Sequence, residues 1–283
     1  MSATLQAINR FPVKSCRGQA MTSAIVERQG LAGDRRWMIV DEDAMLITAR
    51  EYGHLLLVVP TLHDDGSLDF VAPDMPPLHV PVPDPANRLP VYVWKTEVLA
   101  SVADDAAHAW FSKVLGKPAR LVHLDDTDGR RPSQDRSRPD DRVSFADGYP
   151  LLAVTTGSMD ALNDLIAAGP RADEGPLPVI RFRPNVVIDS TDAWAEDGWR
   201  RLRIGEAYFR AVKGCDRCVM TLVDPVTAAR GKEPIATLAR HRRWDGATWF
   251  GMDLIPDNPG AAVHVGDDVE ILESVPAPDG PPR

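Results

Sequence analysis

Ala211-Val-Lys-Gly-Cys-Asp-Arg-Cys-Val-Met-Thr-Leu-Val-Asp-Pro225 holds two of the chain's three cysteines in a stretch that otherwise reads as strand. A thiolate, a cationic neighbour and a polar turn within so few residues suit a soft metal or redox chemistry. A four-thiolate zinc site needs a second cysteine pair, and only Cys16 remains. His108, His123, His241 and His264 lack the spacing that would complete a mixed site. A thioredoxin-type dithiol opens a helix, whereas residues 219–223 are apolar and partly β-branched and end at Asp224-Pro225. The motif therefore predicts a continuing strand. From the motif alone, a second reading stays open in which both cysteines are small buried hydrophobes.

Working outward, short apolar runs at 24–27, 37–40, 45–48, 55–59, 68–71 and 91–94 predict strands. The acidic break Asp41-Glu-Asp43 reads as a hairpin turn. Prolines between residues 73 and 90 confine that segment to edges and loops. A first helix is expected over 104–115, with Trp110, Phe111, Val114 and Leu115 on its apolar face and Gly116 then Pro118 ending it. Residues 125–142 are polar and charged, so they read as a mobile linker or lid in which Arg130 and Arg131 are exposed. Residues 151–154 predict a strand leading into a helix from about 158 to 168. Runs at 179–183 and 186–188 predict strands around a Pro-Asn break, and 202–204 with 207–212 predict a hairpin. A last helix is expected over 232–242, with Ile235, Leu238 and Ala239 inward, then a hairpin-like pair at 249–254 and 261–272. Many short strands and few helices argue for a closed or sandwiched β architecture.

Other strings follow in order along the chain. They are Phe11-Pro-Val-Lys-Ser-Cys-Arg-Gly18, Gly33-Asp-Arg-Arg-Trp37, Leu46-Ile-Thr-Ala-Arg50, Arg181-Phe-Arg-Pro-Asn185, Lys232-Glu-Pro234, Phe250-Gly251, Asn258-Pro-Gly260 and Val265-Gly-Asp267. With the cysteine motif, this ordered set resembles the MOSC domain and the β-barrel domain that precedes it in the amidoxime-reducing proteins. The resemblance runs from about residue 5 to residue 272. It implies a mainly β (α+β) fold, with an N-terminal β-barrel-like domain at 1–124, a MOSC β-barrel domain with a few helices at 125–274, and a proline-rich tail at 275–283.

The resemblance also implies a molybdenum cofactor, molybdenum bound to molybdopterin. Its metal would take Cys218 as protein ligand, since a thiolate is a soft donor. Cys215 would be structural. Asp216 and Arg217 would lie against the cofactor, with Arg217 helping to keep the ligand thiol deprotonated. Lys14, Ser15, Arg35, Arg183 and Asn185 match contact positions, and fixed cations suit the cofactor's phosphate. Asp147, Gly148 and Tyr149 fall at another such position, although Tyr149 stands where relatives carry a small hydroxyl. Arg50 reads equally as pocket entrance or surface, and Cys16 as filler of a small buried volume. The activity implied is removal of oxygen from N-hydroxylated compounds (amidoximes, hydroxylamines, N-hydroxy bases) or S-oxides. A non-catalytic cofactor carrier or sulfur-transfer module is the alternative.

Composition bounds this reading. The 283 residues carry 32 basic and 41 acidic side chains, a net charge of −9, which offers no nucleic-acid surface and no membrane partner. No apolar run reaches spanning length, and residues 1–10 lack a signal peptide's apolar segment, so a cytoplasmic location is expected. An all-thiolate iron–sulfur cluster needs four cysteines and none follows Cys218. A separate electron-donor protein is therefore expected.

Overall fold

The computed structural model describes residues 3–190 and 192–283. Seven strands close into a barrel. They are β1 (Ala3–Arg10), β2 (Leu151–Thr155), β3 (Val186–Asp189), β4 (Trp199–Ile204), β5 (Ala207–Asp216), β6 (Ala247–Pro256) and β7 (Asp268–Ser274). Around the barrel the order is β2-β3-β1-β7-β4-β5-β6, and β6 returns to β2 through Leu151 opposite Leu254. Alternate side chains point inward, and Leu5, Ile8, Ile188, Leu202, Phe209 and Leu254 are fully buried. Gly251 sits at the closing seam with φ +78°, where a Cβ would stand 2.8 Å from the Ala153 carbonyl oxygen. That seam explains why Phe250 is followed by glycine. The β2–β3 pair is the parallel one, and helix α2 (Thr156–Ala167) supplies its crossover.

A second core belongs to the N-terminal part. Strands Trp37–Val40, Arg120–His123, Thr96–Val102 and Arg88–Val93 form an antiparallel sheet in that order. Helix α1 (Asp105–Leu115) starts where the Asp104 side chain accepts from the Ala107 N–H at 2.9 Å and stops at left-handed Gly116. It packs Trp110 and Phe111 on Phe70, whose ring meets Phe111 edge-on at 5.1 Å. Phe70 lies in a three-stranded sheet of Val59–Leu62, Leu68–Val71 and Leu78–Val80.

The hydrogen bonding crosses the division expected at residue 124. β1 is an integral barrel strand between β3 and β7, and Ser23–Glu27 pairs with Ala262–His264. Three runs read as strands are 3-10 turns instead: Gly53–Leu57, Val179–Phe182 and Val219–Leu222. A short apolar run fits either state, and these runs find no strand partner. The run at 45–48 makes only isolated bridges, from Met45 to Tyr92 and Leu46 to Val40. Helix α3 spans only Ile235–His241, because Glu233 is buried ahead of it and accepts from the Thr237 N–H at 3.0 Å. Residues 249–254 and 261–272 are no hairpin: β6 pairs with β5 and β2, and β7 with β1 and β4.

The segment 125–142 is neither a free linker nor exposed throughout. Arg130 is 5% exposed and donates to the Ser144, Ala146 and Asp147 carbonyls. Arg210 of β5 pairs with Asp141 at 2.6 Å. The tail is docked too, with the Gly214 N–H donating to the Pro282 carbonyl at 2.8 Å. Among the described residues no helix is long and apolar enough to cross a membrane.

Candidate functional site

One end of the barrel and the loops from the N-terminal part enclose a cavity of about 270 Å³. Every residue singled out for cofactor contact lines it: Lys14, Ser15, Arg35, Asp147, Gly148, Tyr149, Arg183, Asn185, Asp216, Arg217 and Cys218. Arg50 lines it as well. Seven basic side chains face three carboxylates there, the reverse of the chain's overall balance. A local excess of cations in a half-enclosed space is an anion site.

The cationic wall is built on strained backbone. Ser15, Arg35 and Arg183 have φ of 70°, 48° and 57°, a region non-glycine residues rarely enter and which clusters at ligand clamps. Arg35, Arg183 and the neighbouring Lys14 are held by contacts from distant parts of the chain. The Arg35 N–H donates to the Phe11 carbonyl at 2.7 Å, and the Lys14 N–H to that of Trp37 at 2.8 Å. The guanidiniums of Arg35 and Arg183 lie 4.3 and 4.1 Å from the centre of the Phe11 ring. A Cβ at Gly18 would come within 2.4 Å of that ring, which accounts for the glycine closing the motif. Asn185 accepts from Arg35 Nη1 at 2.8 Å and donates to the Asn9 carbonyl at 3.2 Å. Arg183 donates to the Cys16 carbonyl at 2.6 Å. Cys16 itself is buried and its thiol is pushed up to about 12 by that burial, as filler rather than ligand.

Lys14 is 6% exposed and reaches the Phe145 carbonyl at 2.7 Å and the Asp147 carboxylate. Burial draws its ammonium down to about 8. Burial alone would raise Asp147, but Lys14, Arg50 and the Trp94 N–H hold it well below the usual carboxylate range. Lys14 is the more buried partner, so the larger share of the pair's desolvation cost falls on the lysine. Arg50 meets Asp147 at 3.1 Å and stacks on Trp94 at 4.2 Å, which places it on the rim. A Cβ at Gly148 would meet nothing within 4 Å, so no steric need for glycine exists there.

The opposite wall carries the sulfur. β5 ends at Asp216, and Cys218 is half-buried at the start of the turn Val219–Leu222. Thr221 clasps the Cys218 carbonyl through its N–H at 3.1 Å and its hydroxyl at 3.0 Å. Arg217 does not serve Cys218 as expected. Its Nη1 lies 2.8 Å from the Cys215 sulfur and its Nη2 donates to the Phe182 carbonyl at 2.9 Å. Arg217 lies just beyond the end of β5, and its backbone N–H donates to the Thr248 carbonyl at 2.8 Å. Cys215 also lines the cavity, and burial pushes its thiol up in spite of Arg217.

Thr48, Arg181, Lys213 and Asp253 are further lining residues that the sequence reading passed over. Lys213 precedes Cys215 by two on one strand and pairs with Asp216 at 2.7 Å. Asp253 was visible as a lone carboxylate inside the apolar run Phe250-Gly-Met-Asp-Leu-Ile255. Burial raises it to about 7 against the pull of Lys213 and Arg217.

A closed barrel with a cation-lined cavity and a thiol on its wall defines the class, and comparison with known families gives it a name. Residues 2–118 match the MOSC N-terminal beta barrel domain and residues 140–270 the MOSC domain. The chain is 31% identical over 282 residues to mitochondrial amidoxime-reducing component 1 of Homo sapiens, covering 93% of this chain and 81% of the relative. It is 32% identical over 246 residues to mitochondrial amidoxime reducing component 2 of Homo sapiens, covering 83% and 71%. It is 31% identical over 277 residues to the molybdenum cofactor sulfurase of Oryza sativa subsp. japonica, covering 88% of this chain and 32% of that one. The chain belongs to the MOSC family, in the arrangement in which the N-terminal beta barrel domain precedes the MOSC domain.

Proposed function

We propose that this MOSC protein is a molybdenum-dependent reductase that removes oxygen from amidoximes, hydroxylamines, N-hydroxy bases or S-oxides. As a member of its family it binds the molybdenum cofactor. The observation that carries the finer reading is the convergence of Cys218 and the buried cations on one cavity. The donor set fits the group. Lys14, Arg35, Arg183 and Asn185 would hold its phosphate end, and Cys218 its metal. The Nε atoms of Arg181 and Arg217 are buried without an acceptor, so the wall retains donors for an anionic ligand. When bound, the cofactor would supply the two-electron redox chemistry that reduction of such substrates requires.

The chain's own residues bind and orient. Fixed guanidiniums need no reorganisation as negative charge enters, which is how a preorganised site gains over water. Asp253, raised to about 7 by burial, can hold a proton on its carboxyl group at neutral pH and release it to a neighbour. A second protein must deliver the electrons, a reductase or small redox carrier. Two relatives are named as components of an amidoxime-reducing system, which supports a multi-protein arrangement. A cytoplasmic location goes with this reading, supported by three free cysteines.

The test is analysis of molybdenum and pterin in the purified chain, followed by turnover of an amidoxime with a chemical reductant. Stoichiometric cofactor with turnover is expected. Stoichiometric cofactor without turnover would favour the carrier reading that the similarity to a cofactor sulfurase suggests.

A further inference from the structure

The three-stranded sheet in the N-terminal part gathers a set of donors far removed in kind from the thiol motif. Asp69 sits on the central strand, Leu68–Val71, directly opposite Thr61 on one neighbour and His79 on the other. His63 follows Thr61 by two residues, and its N–H continues the ladder to the Ser67 carbonyl at 3.0 Å. Spacing by two along paired strands puts His63, Asp69 and His79 on one face. Asp65 fixes the turn between the strands, accepting from the Ser67 N–H and hydroxyl at 3.0 and 2.6 Å.

The side chains meet there. His63 Nε2 lies 2.8 Å from one Asp69 oxygen and His79 Nδ1 2.7 Å from the other. The two imidazole rings are 6.1 Å apart between centres, and the ligand atoms of all three residues lie within 4.8 Å of one another. Zinc bonds of about 2.0–2.2 Å at tetrahedral angles bring ligand atoms to roughly 3.3 Å of each other. The contraction required is on the order of 1.5 Å, within reach of side chains that are 42%, 49% and 60% exposed.

We propose that His63, Asp69 and His79 form a surface site for Zn²⁺, separate from the cofactor cavity and bridging the strands Leu68–Val71 and Leu78–Val80 and the turn that leads into the first of them. Two imidazoles and one carboxylate select a borderline divalent ion over Ca²⁺ or Mg²⁺, which prefer all-oxygen sets. Water fills the remaining positions, since one side of the cluster faces solvent. By tying adjacent strands, the ion stabilises the sheet that carries Phe70.

The experiment titrates Zn²⁺ into the cofactor-loaded full chain, first stripped of loose metal with a chelator, using a chromophoric competitor and following Tm. One equivalent is expected to bind and to raise Tm. Cys218→Ala is expected to keep that equivalent, whereas His63→Gln and His79→Gln each weaken it at least tenfold and abolish the rise in Tm. The substituted side chains are largely exposed, so circular dichroism should show both variants folded. Unchanged affinity in both histidine variants, loss that follows Cys218→Ala instead, or no binding at micromolar Zn²⁺ would each overturn the site.

Discussion

The two walls of the cavity are built on opposite plans. On the cationic wall Ser15, Arg35 and Arg183 occupy left-handed backbone, and each guanidinium is spoken for by a carbonyl, an amide oxygen or the Phe11 ring. On the sulfur wall Cys218 starts a short turn whose next residue, Val219, is 47% exposed. One wall is fixed before any ligand arrives, while the other leaves its thiol accessible. Preorganised charge is what an anion anchor needs, because binding then costs no ordering of long side chains. A metal ligand needs access and deprotonation instead.

The largest effect should separate the two cysteines. Cys218→Ala is expected to lower amidoxime reduction at least 100-fold, the scale on which loss of an interaction present throughout turnover is felt. Cys215→Ala should retain substantial activity, even though Arg217 contacts the Cys215 sulfur. Steady-state rates of both variants, normalised to bound molybdenum, decide the matter. A reversed pattern would move the metal ligand to Cys215.

Next in size is the anchor wall. Arg183→Ala or Arg35→Ala removes a charge-assisted contact worth about 1.5–3 kcal/mol, or roughly 10–100-fold in cofactor affinity. Retention of pterin after extended dialysis should fall while Tm changes little. Full retention in both variants would break the assignment of this wall to the phosphate.

A smaller effect is expected from Arg130, which does not line the cavity itself but supports it from behind by donating to the carbonyls of Ser144, Ala146 and Asp147. Arg130→Met leaves buried acceptors unpaired, at about 1–3 kcal/mol for each group that stays dry. Chemical denaturation should show the loss. An unchanged midpoint would return 125–142 to the status of a loose loop.

The least effect concerns pH. The Asp253 carboxyl is raised to about 7 in the fold, against about 3.9 in an unfolded chain. Between those values the native state binds the extra proton, so this group's contribution to stability declines as pH rises from about 4 to 7 and is flat above. Asp253→Asn should therefore raise Tm at pH 8 more than at pH 5. Equal shifts at both would show that Asp253 ionises normally.

Much of this was legible in the residues. Helices α1 and α2 were readable because periodicity, caps and terminating glycines are local signals, as Asp104 and Gly116 illustrate. All eleven residues singled out for the site line one cavity, since the motifs that carry the resemblance are the segments that fold onto it. Arg130, Asp253 and Lys213 were passed over. Arg130 lies in a stretch whose composition looks solvated, and its burial is decided by carbonyls 14 to 17 residues away.

The sequence by itself determined the β-rich class, the order of its turns, the residues of the anion wall and the sulfur motif. The β-rich class and its turns rest on period-two alternation and turn chemistry, which act within a few positions, whereas the residues of the anion wall and the ligand role of Cys218 rest on the resemblance of the ordered motifs to a known family. Tertiary structure alone decided that β1 is an integral strand of the seven-stranded barrel, that residues 219–222 turn instead of continuing as strand, and that Arg217 meets Cys215. It also paired Lys14 with Asp147, 133 positions apart, and brought His63 and His79 to one carboxylate. Register and burial arise from partners distant along the chain, and a local pattern holds no information about which of several compatible partners wins.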